Sequence, residues 1–242
     1  MSQNDSSESP TSLRQLNIEA RRQRILAAAR ELIAAGGLEA LSMRKLAKHA
    51  GLSVTTLYNL FGVRDEIVQA LVLDAIDQMD LLLEQEAPLD DPIERCRAIV
   101  TVSIRIVTGD EAVFRPMVIG AMSKVGTAGS AGEVTRRAAS MQAVAIRAAI
   151  DQGLLKGLLD PEQLGRQIYH GYEYASFQWA RGVIDAKGFE TRARYGLEVV
   201  LLGIASRKVR PQIETELARL EAEMSSASRV PHETEAQRRN RI

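Results

Sequence analysis

The side chains best suited to chemistry in this chain lie near its N-terminus, and they are cations. Between Arg14 and Arg64 stand nine basic residues, Arg14, Arg21, Arg22, Arg24, Arg30, Arg44, Lys45, Lys48 and Arg64, against three acids, Glu19, Glu31 and Glu39. The full 242 residues hold 31 basic and 31 acidic groups, so the remainder is acidic. A basic block on a neutral protein suits a polyanionic partner; a solvated helix face is the competing reading. Within it, Ser42 to Phe61 (SMRKLAKHAGLSVTTLYNLF) has the register of a helix–turn–helix. Ala47 is the small residue that two steeply crossing helices need where they touch. Gly51, four positions later, tolerates the positive φ of a sharp turn. Leu46, Ala50, Leu52, Leu57 and Leu60 form the apolar set that locks the two helices together. A short turn then aims the second helix outward, as entry into a major groove requires. An ordinary helical hairpin in a bundle is the alternative.

Other constellations are thinner. Gly126, Gly129 and Gly132 resemble a phosphate loop, but no Gly-Lys-Ser/Thr follows and no strand precedes, so a flexible connector is expected. His170 and Glu173 sit at i, i+3 without a second pair, so no metal site is expected. The lone Cys96 excludes a disulfide framework within the chain and reads as a small core residue. No nucleophile–base–orienter set is found; an enzyme is not expected, nor a cofactor. Apolar residues make up 45% and charged residues 26%, an ordinary globular composition. The longest apolar runs, such as Val199 to Ala205, are about seven residues, too short to span a bilayer. The polar start MSQNDSSES is no secretory signal. The expectation is a soluble cytoplasmic protein with no membrane partner.

The elements that must position these groups read as helices throughout. Ile25, Ala28, Ala29, Leu32 and Ile33 mark a first helix over about 18–35, ended by Gly36-Gly37. Ser42 caps a second running to Ala50, and Ser53 caps a short third ended by Gly62. A long fourth carries Ile67, Leu71, Ala75, Met79 and Leu82 on one face. Asp91-Pro92-x-Glu94 and Asp160-Pro161-x-Gln163 are helix starts. Further helices are expected near 92–108, 111–124, 132–153, 161–181 and 188–208. Residues 1–13 and 225–242 read as polar, disordered tails.

The N-terminal segment resembles the TetR-type transcriptional regulators. The resemblance rests on Arg21-Arg22-x-Arg24-Ile25-Leu26-x-Ala28-Ala29, Leu32 and Gly37. It continues through Ser42-x-Arg44-x-Leu46-Ala47, Ala50-Gly51-Leu52-Ser53, Leu57-Tyr58, Phe61 and Arg64-Asp65-x-Ile67. Thr55, Asn59-Leu60 and Arg64 depart from the usual pattern. The resemblance implies an all-α protein. A helix–turn–helix DNA-binding domain over 14–65 is joined by a long helix to a ligand-binding and dimerisation domain over 66–224. It also implies that Ser42 and Arg44 meet phosphates at the start of the second helix, though Ser42 also fits a plain helix cap. Tyr58 would bond phosphate through its hydroxyl, or else fill the core. Arg64 would clamp the flanking backbone, and Lys45 and Lys48 would meet phosphates or merely solvate their helix. Ser53 opens the reading helix; Thr55, Thr56 and Asn59 are placed for base edges.

In the C-terminal domain, Leu197 to Ala205 is apolar on nearly all sides, which asks for burial on more than one face. The helix before it carries Leu164, Ile168, Gly171, Tyr172, Ala175 and Trp179 at helical spacing. The resemblance makes these two helices a dimer interface and implies a ligand cavity walled by Phe114, Met117, Tyr172 and Trp179, each of which also suits plain core. Arg105 could meet a ligand carboxylate or simply be solvated. Apolar walls with few polar anchors suit a hydrophobic or amphipathic small molecule. The reading is a homodimeric, ligand-responsive regulator, a repressor, on double-stranded DNA with a near-palindromic operator. The alternative is a helical ligand-binding or scaffold protein without DNA binding.

Overall fold

The structure is a computed structural model that describes residues 13–87, 89–122 and 131–227. The N-terminal tail up to residue 12, Gly126, Gly129 and the C-terminal tail from residue 228 lie outside the described residues. Two compact units divide between Leu71 and Val72.

The first unit is built from α1 (Leu13–Ala40), α2 (Met43–Ala50), α3 (Val54–Phe61) and the start of α4 (Arg64–Glu86). Helix α1 begins about five residues earlier than its apolar stripe suggests, because Gln15 to Ala20 are exposed and leave no stripe to read. It breaks where expected: Gly36 (φ −157°, ψ 24°) and Gly37 (φ +66°, ψ −170°) leave helical geometry, and the positive φ at Gly37 favours glycine. Ile25, Ala29, Ile33, Leu46, Leu57, Ile67 and Leu71 are buried as its core.

The second unit holds the rest of α4 with α5 (Pro92–Gly109), α6 (Glu111–Met122), α7 (Ala131–Asp151), α8 (Pro161–Ala180), α9 (Ala186–Ile204) and α10 (Arg210–Ala227). Both Asp-Pro starts form as read: Asp91 accepts from the Glu94 amide, Asp160 from that of Glu162, and a proline opens each helix. Helix α5 is buried on almost every side and contributes Ile93, Cys96, Ile99, Val102 and Ile104 to the core. Burial and the neighbouring Glu198 push the Cys96 thiol up to about 12, as expected of an inert core cysteine. Helices α7 and α8 approach backbone to backbone, since a Cβ on Gly165 would stand 2.2 Å from the Ala139 carbonyl oxygen.

Beyond the earlier start of α1, the structure departs from the sequence reading in three places. The inward residue at the end of the α4 stripe is Leu83, fully buried, while Leu82 is half-buried. Helix α10 was not anticipated, and Ser225–Ala227, read as tail, are its last residues. Its apolar residues Ile213, Leu217 and Leu220 are buried, and its acids pair across to α9: Arg194 with Glu216 at 2.6 Å and Lys187 with Glu223 at 3.4 Å. The third is a short bridge between Leu155 and Ala205, with the Lys156 amide donating to Ile204 O at 2.7 Å. Among the described residues no other strand pairing occurs, and no helix is long and apolar enough to cross a membrane.

Candidate DNA-binding surface and effector chamber

The turn between α2 and α3 is set by local chemistry. Ser42 caps α2, its hydroxyl accepting from the Lys45 amide at 3.3 Å. Gly51 ends α2 in the left-handed region (φ +64°), its amide returning to the last turn, and the Leu52 amide donates to Ala47 O at 2.9 Å. Ser53 caps α3, accepting from the Thr56 amide at 3.0 Å, with its hydroxyl 2.8 Å from that of Thr56. Leu46, Ala47, Ala50 and Leu57 are buried in the crossing.

This leaves a polar, cationic face. Ser42, Arg44, Lys45, Lys48, Ser53, Thr55, Tyr58 and Asn59 are exposed, and Thr56 is half-buried. Tyr58 is 51% exposed, so it is not a core residue. Arg64 is placed differently from a free clamp. It is half-buried, its Nη2 donates to Leu38 O, and its Nε lies buried without a partner among the described residues.

Side chains of α1 hold α2 and α3, and the sequence did not suggest these ties. Arg22 Nη1 donates to Leu60 O at 2.8 Å and stacks its guanidinium over Phe61 at 4.3 Å. His49 Nε2 lies 2.5 Å from the Glu31 carboxylate. Their only sequence signal is being polar residues beside an apolar stripe, which surface residues share. Two members of the basic block, Arg22 and Arg64, thus serve internal bonds.

In the second unit Phe114, Tyr172 and Trp179 belong to one large apolar cluster; Met117 is buried on α6 and, among the described residues, is not part of it. Phe189, which the sequence reading missed, links two of these rings. Its ring lies 5.6 Å from Trp179 and 5.2 Å from Tyr172. Tyr172 also stacks on Tyr169 at 6.2 Å, and its hydroxyl accepts from Ser103 at 2.7 Å. Burial pushes the Tyr172 phenol up to about 12 against that hydrogen bond. Arg115, on α6, stands 4.5 Å over the Trp179 ring, bonds Glu111 at 2.8 Å, and caps α8 through Trp179 O at 2.6 Å. Arg105 pairs with Glu86 at 2.7 Å and is exposed. His170 is exposed, and burial raises the Glu173 carboxyl above its ordinary value. Among the described residues no group of three or more His, Cys, Asp or Glu could hold a metal.

Helix α4 is gripped by arginines from its neighbours. Arg95 donates to Leu83 O and, at 2.7 Å, to Ala87 O, capping its C-terminal end. Arg137 reaches Asp77 at 2.8 Å and Asp80 at 3.2 Å.

A capped helix–turn–helix with an exposed polar, cationic face, continued by a long helix into an all-helical body, is the layout of a helix–turn–helix regulator. Residues 25–71 match the family model described as bacterial regulatory proteins, tetR family. The chain thus carries the N-terminal module of that family, as its motifs suggested, on a body with the fold of TetR-family transcriptional regulators. Among solved structures it resembles a TetR-family transcriptional regulator from Pectobacterium atrosepticum, with 25% identity, TM-score 0.58, and 80% of this chain and 98% of that one covered. It resembles the TetR-family repressor FadR of Thermus thermophilus in complex with lauroyl-CoA, with 21% identity, TM-score 0.59, and 77% and 96% covered. It also resembles Bacillus subtilis FadR in complex with stearoyl-CoA, with 19% identity, TM-score 0.56, and 75% and 98% covered. No curated protein matched the sequence.

Proposed function

We propose that the protein is a homodimeric, ligand-responsive transcriptional repressor that works in the cytoplasm. In this reading α3 enters the major groove of a near-palindromic operator. Thr55, Thr56 and Asn59 meet base edges, while Ser42, Arg44, Lys48, Ser53 and Tyr58 hold phosphates. Arg64 braces the start of α4 against Leu38 beside the flanking backbone. The observation that carries the reading is the outward face of α2 and α3, where hydroxyls, an amide and cations are exposed over a buried crossing.

The domains follow the same division of labour, DNA binding up to about residue 65 and effector binding and dimerisation beyond it. The outer faces of α8 and α9 support self-association. Tyr174 is 61% exposed there, and Gly171, Gly196 and Gly203 have open space around them, so a second helix pair can come close. Two reading helices about 34–36 Å apart would then span one turn of DNA. The effector is an apolar or amphipathic molecule taken among Phe114, Met117, Tyr172 and Trp179. The acyl-CoA complexes of the two FadR structures support that class. Effector binding favours a second arrangement of the dimer and releases DNA.

Fluorescence anisotropy on the DNA upstream of the protein's own gene, against shuffled DNA at several salt concentrations, tests the reading. Six to eight phosphate contacts per dimer predict a log–log salt slope of about −5 to −7. A slope near zero removes the phosphate assignment. Failure to select any sequence from a random library favours a helical ligand-binding protein without DNA binding.

A further inference from the structure

The described core holds few unpaired polar atoms, and one lies in the aromatic cluster. Trp179 is 0% exposed, and its indole N–H meets no acceptor among the described residues. The indole N–H can only donate, and a buried donor without an acceptor keeps its full desolvation cost. The Arg115 guanidinium, 4.5 Å over the same ring and paired with Glu111 at 2.8 Å, brings further N–H donors beside it. Clustered N–H donors favour an acceptor oxygen, most of all one that carries negative charge. Phe189 against the indole, and Tyr172 against Phe189, supply apolar surface in the core cluster that also holds Phe114.

We propose that Trp179 is the polar anchor of the effector chamber. Its indole N–H donates to a carboxylate or thioester carbonyl oxygen at the head of an aliphatic chain. This rests on the effector reading above and gives it a ligand chemistry. The ligand makes its space by displacing α6. Pro116 lies inside α6 and has no N–H to give the Ala112 carbonyl, which weakens that helix at its middle. The opposite side cannot part as readily, because α7 and α8 touch backbone to backbone at Gly165 and Ala139. Arg115 holds α6 closed over the indole through Trp179 O until the ligand oxygen competes for the site.

The chain has a single tryptophan, so full-length protein labelled with 15N-tryptophan shows one indole resonance, assigned without mutation. Laurate, lauroyl-CoA and dodecyltrimethylammonium share a twelve-carbon chain and differ at the head. The expected result is a downfield shift and slowed exchange of the indole proton with laurate or lauroyl-CoA. The first alone identifies a carboxylate and the second alone a thioester carbonyl. By calorimetry the cationic probe binds at least about tenfold more weakly, and Trp179→Phe weakens the oxygen-headed probe by about tenfold while leaving the cationic one unchanged. Calorimetric binding of laurate or lauroyl-CoA with an unmoved indole proton overturns the anchor and leaves the effector reading standing. If neither oxygen-headed probe binds, the proposal falls. The effector reading is then judged separately, by whether some other small molecule releases DNA.

Discussion

Replacing Glu198 by glutamine leaves the Arg97 guanidinium, 7% exposed, without its carboxylate in the middle of the second unit. In the native pair Arg97 Nε donates at 2.7 Å and Nη2 at 3.2 Å to the two oxygens of Glu198, which is 0% exposed. This fork joins α5 to α9. Removing one partner of a buried pair costs about 3–5 kcal/mol, mostly because the other charge stays desolvated. Glu94 approaches Arg97 to 3.6 Å and takes up part of that charge, so Glu198→Gln falls near about 3 kcal/mol. The pair itself is a different quantity. Converting both, as Arg97→Met with Glu198→Leu, removes two desolvation costs along with the attraction, and stability returns to within about 1 kcal/mol of the parent or above it. Urea unfolding followed by Trp179 emission reads the unit in which the pair lies, and the slope with denaturant should not change. Two results refute the reasoning: a single variant within about 0.5 kcal/mol of the parent, or a double variant no more stable than the single one.

Arg44→Ala is expected to weaken binding to specific and random DNA alike and to flatten the salt slope by about 1 per protomer, whereas Asn59→Ala changes which sequence is preferred; equal losses for both variants in anisotropy would merge the two roles. Gly165→Ala puts a methyl 2.2 Å from Ala139 O, so α7 and α8 must separate, and a destabilisation of about 1–3 kcal/mol is expected in thermal unfolding. The Arg219 hydrogen bond foremost, with Arg194, holds the Glu216 carboxyl below its ordinary value of 4.5. The stability it adds is therefore present above about pH 4.5 and lost as pH falls through the lower folded value, and Glu216→Gln should flatten that part of the stability–pH curve.

What the sequence revealed was what is fixed locally. Ser42, Gly51 and Ser53 set the helix–turn–helix through bonds spanning three to five residues, so their types and spacing carry the geometry. The two Asp-Pro starts are equally local. Helix α10 was harder, because Ile213, Leu217 and Leu220 are separated by charged residues whose purpose appears only once α9 lies beside them. The site divides in the same way. Exposure of Arg44, Thr55 and Asn59 follows from helix periodicity. The Arg22–Leu60 and Arg64–Leu38 bonds join residues 38 and 26 positions apart, and no spacing announces them. Phe189 was missed for the same reason, since it meets Trp179 across the α8–α9 connection.

The bonds behind the reading helix bear on how loss of DNA binding should be scored. Arg22 at Leu60 and Phe61, and Glu31 at His49, favour the arrangement of α2 and α3 described above over looser ones. Loosening those bonds lowers the fraction in that arrangement, and apparent affinity falls in proportion although no contact to DNA has been removed. A genetic screen for lost operator binding would therefore collect two kinds of variant. Those at Arg44 or Asn59 would melt like the parent. Those at Arg22 would melt earlier, and a ligand that stabilised the folded module would restore them.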